Sequence, residues 1–472
     1  DDALIEATAV AGSPDASAEE SASARLLEGE IHGRRGDREA FLAIVEKVAA
    51  ANPPGFVLPE ALMQKARVLW GMGRYDETLK CVEEVRARTK ALATASNERQ
   101  VAKLTSDAWG IEGNARWKQG RMVEAAAAYD RVLEFAARLG DRLATASVFN
   151  SFGALHRDQG KDAEARAAFE QALGILREIG DRIGIASALG NLGLVYRESG
   201  DLKASAVAQR ESLAIFRQTG DLHAVARGLK ALSDALLDGG ELEAALEPLS
   251  EALELAQRIG DRSAEMLALR NMGQAHAALG EEKLALEELS QALDLARAEG
   301  NPYNLAFIQM RLGELHADAG RPAQAAQALD EAVRVASERS LEDLLTLALL
   351  ARARLKASAV GPEAAADARR ALEIAVRKRS AAHEASVRAA LARIAAAAGE
   401  TGQARDFLVR AREMAGRCTV FHERLRLLAD VAAAHAALGE PEEARQAAGE
   451  GKRLAGEHGA VKMAGRFEAQ GK

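Results

Sequence analysis

Glycine recurs along this chain on two interleaved clocks of 40 residues. One falls at Gly140, Gly180, Gly220, Gly260 and Gly300, the first four followed by Asp and the fifth by Asn301; the other falls at Gly120, Gly160, Gly200, Gly240, Gly280 and Gly320. A glycine just past a helix end closes the last turn in the left-handed conformation, and an Asp immediately after it caps the next helix through its side-chain oxygen. Two helix breaks per period, separated by helix-forming residues, describe a stack of helical hairpins. The helices between breaks should run about 17 residues, roughly 25 Å at the α-helical rise. Such a stack is a binding surface more often than an enzyme.

At 472 residues the chain is too long for one hydrophobic core. A solenoid removes the need, because each hairpin packs only on its neighbours and small Ala-rich interfaces suffice, which accommodates an aromatic content of only 4%. The fold class expected is therefore all-α, a solenoid of about eleven helix-turn-helix hairpins with inner turns at Gly36, Gly73, Gly120 to Gly320 in steps of 40, near Gly361, and at Gly399 and Gly439.

Five segments follow. Residues 1–22 are acidic and of low complexity, with a turn at Gly12-Ser13-Pro14-Asp15, and read as a linker or cap. Residues 23–104 hold two divergent repeats, with extra residues between Arg86 and Ser106 that call for longer helices or a loop. The regular core is 105–339; divergent repeats follow over 340–458, with Ser340 and Ser380 where glycine is due, and 459–472 caps the last one.

The net charge is −8, but residues 1–30 contribute eight acids against one Arg, so the body is nearly neutral. A nucleic-acid partner is not expected, since phosphate binding needs an excess of Lys and Arg. No stretch of apolar residues is long enough to span a bilayer, so no membrane association is expected. The start lacks the basic flank and long apolar run of a signal peptide. Cys81 and Cys418 are far apart in a repeat array, which fits a reducing compartment and a cytoplasmic location. The chain opens on Asp1 rather than Met, the expectation being a piece of a larger protein.

Within a period, the small and large residues fall in a set order. Phe149, Phe152 and Gly153 lie on a first helix with Ala165, Phe169 and Ala172 on the second; Leu189, Leu192, Gly193 and Tyr196 come next; then Leu269, Met272 and Gly273 with Ala285, Leu289 and Ala292; then Leu312 and Gly313 with Ala325, Leu329 and Ala332. This order resembles the tetratricopeptide repeat over about residues 23–458, best between 105 and 335. Ser205, Gln209 and Ser212 depart from the Ala-large-Ala pattern, and Ser233 replaces the first-helix Gly. The usual period is about 34 residues, and this chain adds about six. In that it resembles kinesin light chain-like adaptors and, more closely, the repeat arms of bacterial signalling and regulator proteins. The resemblance implies a right-handed superhelix whose first helices line a concave groove for an extended peptide or protein.

His32, His156, His276, His316 and His435 share one repeat position. Each lies on a separate hairpin, whereas metal ligands must converge on one ion, and Tyr196 and Leu236 occupy the same slot, so packing is their expected role. Cys418 and His422 lie one turn apart without a second pair. Gly160-Lys161 and Gly451-Lys452 lack the rest of a phosphate loop, and no His-Glu-x-x-His or Gly-x-Ser-x-Gly run occurs. No metal, cofactor or catalytic residue is expected.

The groove is where function should reside. Positions three before, one after and four after the first-helix Gly share a face, and with the residue one turn upstream they hold Asn150, Arg157, Arg197, Arg227, Lys230, Arg270 and Gln274; Asn191 and Asn271 lie beside them. Arg and Asn suit a peptide's carboxylates and backbone groups. Asp234 and Glu314 stand on the same stripe, with Asp234 placed to pair with Lys230. The expected function is a non-enzymatic scaffold or sensor arm that binds a protein or extended acidic peptide. The alternative is a self-associating or enzyme-associated module whose catalytic domain lies outside this chain. The sequence leaves the oligomeric state open.

Overall fold

The structure, a computed structural model, describes residues 2–11, 13, 16–34, 36–357, 362–460, 464, 465 and 467. The expected break near Gly361, the residues Gly12, Pro14 and Asp15 of the N-terminal turn, and most of the tail beyond Ala460 lie outside the described residues. Among the described residues the regular elements are twenty-three α-helices and a short 3-10 turn, with no strand. The chain divides into two compact units, Asp1–Val195 and Tyr196–Lys472.

Unit 1 begins with α1 (Asp2–Ala11), so the acidic start is helical. It continues with α2 (Ala18–Arg34), α3 (Arg38–Ala50), α4 (Val57–Gly71), α5 (Tyr75–Leu92), α6 (Glu98–Lys118), α7 (Met122–Leu139), α8 (Arg142–Asp158), α9 (Asp162–Ile179) and α10 (Arg182–Glu198), whose last turn falls in unit 2. The extra residues after Arg86 become a short loop and a lengthened α6 of 21 residues. Unit 2 holds α11 (Leu202–Thr219), α12 (Leu222–Gly239), α13 (Leu242–Ile259), α14 (Arg262–Leu279), α15 (Glu282–Glu299), α16 (Pro302–Asp318), α17 (Pro322–Glu338), α18 (Glu342–Lys356), α19 (Pro362–Arg377), α20 (Ala381–Ala397), α21 (Thr401–Met414), the 3-10 turn Ala415–Arg417, α22 (Phe421–Ala437) and α23 (Pro441–Glu457).

The turns obey the chemistry of their residues. Gly140 takes φ 65°, and the Asp141 carboxylate accepts the Ala144 N–H at 2.9 Å, ending one helix and starting the next in two residues. Asp181, Asp221 and Asp261 cap in the same way. At the other clock the residues after glycine are Arg121, Lys161, Glu241, Glu281 and Arg321, whose side chains make no cap; Asp201 alone in that series does. In the divergent repeats Ser340 adopts the left-handed conformation at φ 53°, but at the next beat Arg379 does so and Ser380 becomes a helix N-cap residue. The 40-residue beat therefore slips by one residue there.

First-helix glycines exist for packing. A Cβ on Gly153 would lie 2.7 Å from the Phe169 ring, one on Gly273 2.7 Å from Leu289, and one on Gly313 2.6 Å from Leu329. The missing methyl lets a buried large residue of the second helix sit against the backbone, which outweighs the cost of about 1 kcal/mol for a helical glycine. Where Ser233 replaces glycine, its hydroxyl is buried and donates to the Leu229 carbonyl at 2.8 Å.

The core of unit 2 is continuous from α11 to α14 and from α20 to α23, with Leu229, Leu236 and Leu249 in the same apolar cluster as Leu425, Val431 and Ala432. Residues about 200 positions apart thus share one core. A strictly nearest-neighbour stack does not produce that.

Candidate functional site

In unit 1 the first-helix face carries Asn150 and Arg157 on α8 and Asn191 on α10, all half-buried. The Asn150 Oδ1 is shielded from solvent and has no hydrogen-bond partner among the described residues. The Arg157 guanidinium lies 3.3 Å from the Asp158 carboxylate, which also accepts from the Trp117 indole N–H on α6 at 2.9 Å. Further along α6, Glu112 is buried between Arg86 and Arg116, at 2.6 and 2.7 Å, while Arg86 stacks 4.0 Å over Trp109.

In unit 2 the residues of the stripe are brought together around Asp234 on α12. Its carboxylate takes Lys230 at 2.7 Å, Arg197 at 3.3 Å and the Asn271 amide at 3.0 Å, so one acid ties the last turn of α10, α12 and α14. Arg197 also reaches Asp238 at 3.1 Å. Burial pushes the Asp238 carboxyl up to about 6, with Asp234 and Glu423 adding to the shift and Arg197 and Arg311 opposing it.

Arg270 continues this ladder. Its guanidinium donates to the Asn271 Oδ1 at 3.0 Å and to the Asn304 Oδ1 on α16 at 3.3 Å, and stacks over Phe307 at 4.7 Å. Arg311 occupies the same ring's surroundings at 4.9 Å and donates to Glu314 at 2.9 Å. Arg227 is exposed and has no ion-pair partner among the described residues.

The sequence reading missed what meets this wall. Helix α22 lies against it: the Arg311 Nη2 donates to the His422 Nε2 at 2.8 Å, Arg426 pairs with Glu314, and Arg354 of α18 donates to the buried Asp430 at 2.8 Å, with Arg393 3.0 Å from the other oxygen of that carboxylate. Burial would raise the Glu314 carboxyl, but Arg426 and Arg311 outweigh it and hold it below its usual range. His422 is kept neutral: burial lowers its pKa well below the ordinary value, and Arg311, Arg426 and Arg354 push the same way.

Gln274 of the stripe lines a cavity of about 70 Å³ beneath α22, with Leu237, Glu314, Phe421 and Leu425. At the inner turns, a Cβ on Gly240 would sit 2.7 Å from the Phe421 ring, and one on Gly200 2.6 Å from Thr419. The Arg311–His422 and Glu314–Arg426 pairs span 111 and 112 residues, so no local spacing signals them. Arg311 also stands two positions before Gly313, off the expected stripe.

Of the repeat-slot histidines, His276 contacts Glu288 at 2.7 Å and His435 contacts Glu440 at 2.7 Å. Among the described residues no group of three or more potential ligands gathers as a metal site would. Cys81 and Cys418 are buried free thiols. No helix among the described residues is long and apolar enough to cross a membrane.

The family model for the tetratricopeptide repeat matches residues 104–178, 184–258 and 264–338. These are tetratricopeptide repeats. A second family model, anaphase-promoting complex subunit 5, matches residues 406–463. The tetratricopeptide architecture is similar to that of a Rap protein complexed with competence and sporulation factor, at TM-score 0.53 and 16% identity, covering 78% of this chain and 99% of the other. It is similar to the apo form of the quorum sensor NprR from B. thuringiensis at TM-score 0.54 and 14% identity, covering 76% and 99%. Aspartyl phosphate phosphatase F from Bacillus subtilis is also similar, at TM-score 0.50 and 12% identity, covering 75% and 93%. At these identities the likeness shows the fold. No curated protein sequence matches the chain.

Proposed function

We propose that this chain is a binding scaffold, the sensor arm of a cytoplasmic bacterial regulator, and that the first-helix faces of its tetratricopeptide repeats hold an acidic segment of a partner protein. The observation that carries this reading is Arg227, exposed just under one turn from Lys230 and without an ion-pair partner among the described residues, on a wall whose other cations, Arg197, Lys230, Arg270 and Arg311, lie among the carboxylates Asp234, Asp238, Glu314 and Asp318. Guanidinium groups held by neighbours are pre-organised for carboxylates, so little entropy is lost when one binds. Asn271 and Gln274 beside these cations supply amide contacts that an extended backbone requires, and the unit 1 face, taken by itself, presents groups of the same kind at Asn150, Arg157 and Asn191. A Rap protein complexed with competence and sporulation factor, and a quorum sensor, share the fold, which supports a regulatory setting.

The test uses a fluorescein-labelled decapeptide rich in Asp and Glu, with a Lys-rich decapeptide as control, read by anisotropy at low salt. The acidic peptide should bind and the basic one should not. Arg227→Glu with Lys230→Glu should weaken binding at least tenfold at unchanged helicity, and unaltered affinity would remove the reading. Arg270 is a poor probe, because its reversal would also break the Asn271, Asn304 and Phe307 contacts.

A further inference from the structure

We propose that the first-helix face of unit 1 is a second binding surface, separate from the wall of unit 2, and that Trp70, Gly110, Asn114 and Trp117 on it take an uncharged, proline-rich segment of a partner protein in the polyproline II conformation. The carboxylate reading of unit 2 is not needed for it.

Three observations carry it. First, the face lacks charge where unit 2 has it. The positions three before and one after the first-helix glycine, or Ser233 in its place, hold Lys230, Asp234, Arg270 and Gln274 on α12 and α14, but Gly110, Asn114, Asn150 and Ala154 on α6 and α8. Charges at the margin are paired locally, Arg67 lying 3.8 Å from Asp107 and Arg157 3.3 Å from Asp158. The Asn114 Oδ1 accepts the Tyr129 hydroxyl at 2.8 Å, which orients the amide and leaves its N–H groups without a partner among the described residues. Such a floor suits recognition through backbone carbonyls, and a proline-rich backbone offers carbonyls but few N–H groups.

Second, Gly110 has no packing reason to be glycine. A glycine inside a helix is destabilising relative to alanine, and one turn further on packing accounts for it, because a Cβ on Gly113 would collide with the Tyr129 ring. A Cβ on Gly110 would meet only a Val132 methyl at 3.9 Å, an ordinary contact. Close approach of a ligand's backbone is the remaining use of a bare helical position on an uncharged face.

Third, all three tryptophans of the chain, Trp70, Trp109 and Trp117, lie in unit 1. Trp70 and Trp117 each stand three residues before an inner-turn glycine, Gly73 and Gly120, and so share one position on α4 and α6, which touch. The next two repeats carry Arg157 and Arg197 there. Trp70 is 37% exposed. The Trp117 indole is held by its N–H bond to Asp158 at 2.9 Å, and the exposed Lys118 ammonium lies 4.4 Å over the ring, so that face is open to solvent. Packed helices lie about 8–10 Å apart, and a polyproline II helix advances about 9 Å per three-residue turn. Prolines three residues apart therefore match indoles on successive first helices.

The test titrates the full chain with an uncharged decapeptide carrying proline at every third position. Controls replace the prolines by glycine or by leucine. Binding is read from tryptophan emission, which reports unit 1 alone because no tryptophan lies elsewhere. The proline peptide should shift the emission saturably and the controls should not; no shift, or equal binding of the leucine peptide, overturns the proposal.

Gly110→Ala should leave the melting temperature unchanged or raise it, and a fall would assign the glycine to packing and overturn the proposal. Gly110→Leu, which sets a side chain in the path of the ligand, should weaken binding at least tenfold. Trp70→Ala, at an exposed side chain, should weaken it at least fivefold at unchanged helicity and carries the same test should the leucine unsettle α6. Unaltered affinity in Trp70→Ala overturns the site. The two readings fail separately: the Arg227→Glu, Lys230→Glu chain should bind the proline peptide as the wild type does, and loss of that binding would place the peptide on unit 2 and remove this surface.

Discussion

The first-helix faces of the two units are built from the same repeat yet are satisfied differently. In unit 1 the partners are close in sequence or one repeat away: Arg157 with Asp158, Trp117 with Asp158, Arg116 with Glu112. In unit 2 the face is tied first by a ladder between successive repeats and then by α22, which returns to it from more than 110 residues downstream. The lesson is that a linear repeat array acquires long-range cooperativity once its own end folds back on its wall. Nearest-neighbour energetics should describe unit 1, and unit 2 should behave as one cooperative body.

Asp430 gives the largest handle on this difference. Its buried carboxylate receives Arg354 and Arg393, so Asp430→Ala leaves two cations without their acceptor and should cost about 4 kcal/mol, the range for breaking a buried pair. Removing the exposed Glu98 partner of Arg138 in unit 1 should cost less than about 0.5 kcal/mol. Urea unfolding of the two variants checks the contrast, and comparable losses would dissolve it.

A smaller effect is expected from Asp238. Burial raises its carboxyl to about 6 in the folded chain, above the ordinary 3.8, so the folded state binds the proton more tightly than the unfolded state. Stability from this group therefore rises as pH falls from about 7 to about 4, and above the folded value the full penalty remains, on the order of 3 kcal/mol. Asp238→Asn should raise the urea midpoint at pH 8 and flatten the change between pH 8 and pH 5; an unchanged slope would show that the carboxyl is not perturbed.

The smallest handle is the most selective. Gly240 and Gly320 are the same kind of turn, at φ 81° and 71°, but an added Cβ meets Phe421 at Gly240 and nothing within 4 Å at Gly320. Gly320→Ala should cost about 1 kcal/mol for the left-handed backbone alone, and Gly240→Ala should exceed it by a further ~1 kcal/mol. Thermal melts of the pair measure the difference, and equality would mean that Phe421 does not press on that turn.

Much of this fold was legible in the residues because each repeat states its own instructions. Gly140-Asp141 ends and begins helices, and Gly153 opposite Phe169 sets how closely two helices approach, all within a few tens of residues. The Lys230–Asp234 pair was legible for the same reason, being one turn apart. The closing contact was not. His422 looked like half of an incomplete metal pair with Cys418, and Arg426 shares the repeat slot of Arg227, so its position gave no sign of a distant partner. What joins them to Arg311 and Glu314 is contact between α16 and α22, helices 111 and 112 residues apart at these pairs, and a contact that distant leaves no mark on composition or spacing. Ser340 and Arg379 show the limit from the other side: left-handed turns persist there without glycine, so the residue signal fades before the geometry does.

The most direct test of the closed wall is a double-mutant cycle on Glu314 and Arg426, with Glu314→Gln, Arg426→Gln and the double variant compared by urea unfolding. A pair in contact across the α22 seam should show a coupling of about 2 kcal/mol, within the range for groups sharing a buried network. Strict additivity of the two single changes would contradict the account, because it would place α22 away from the wall.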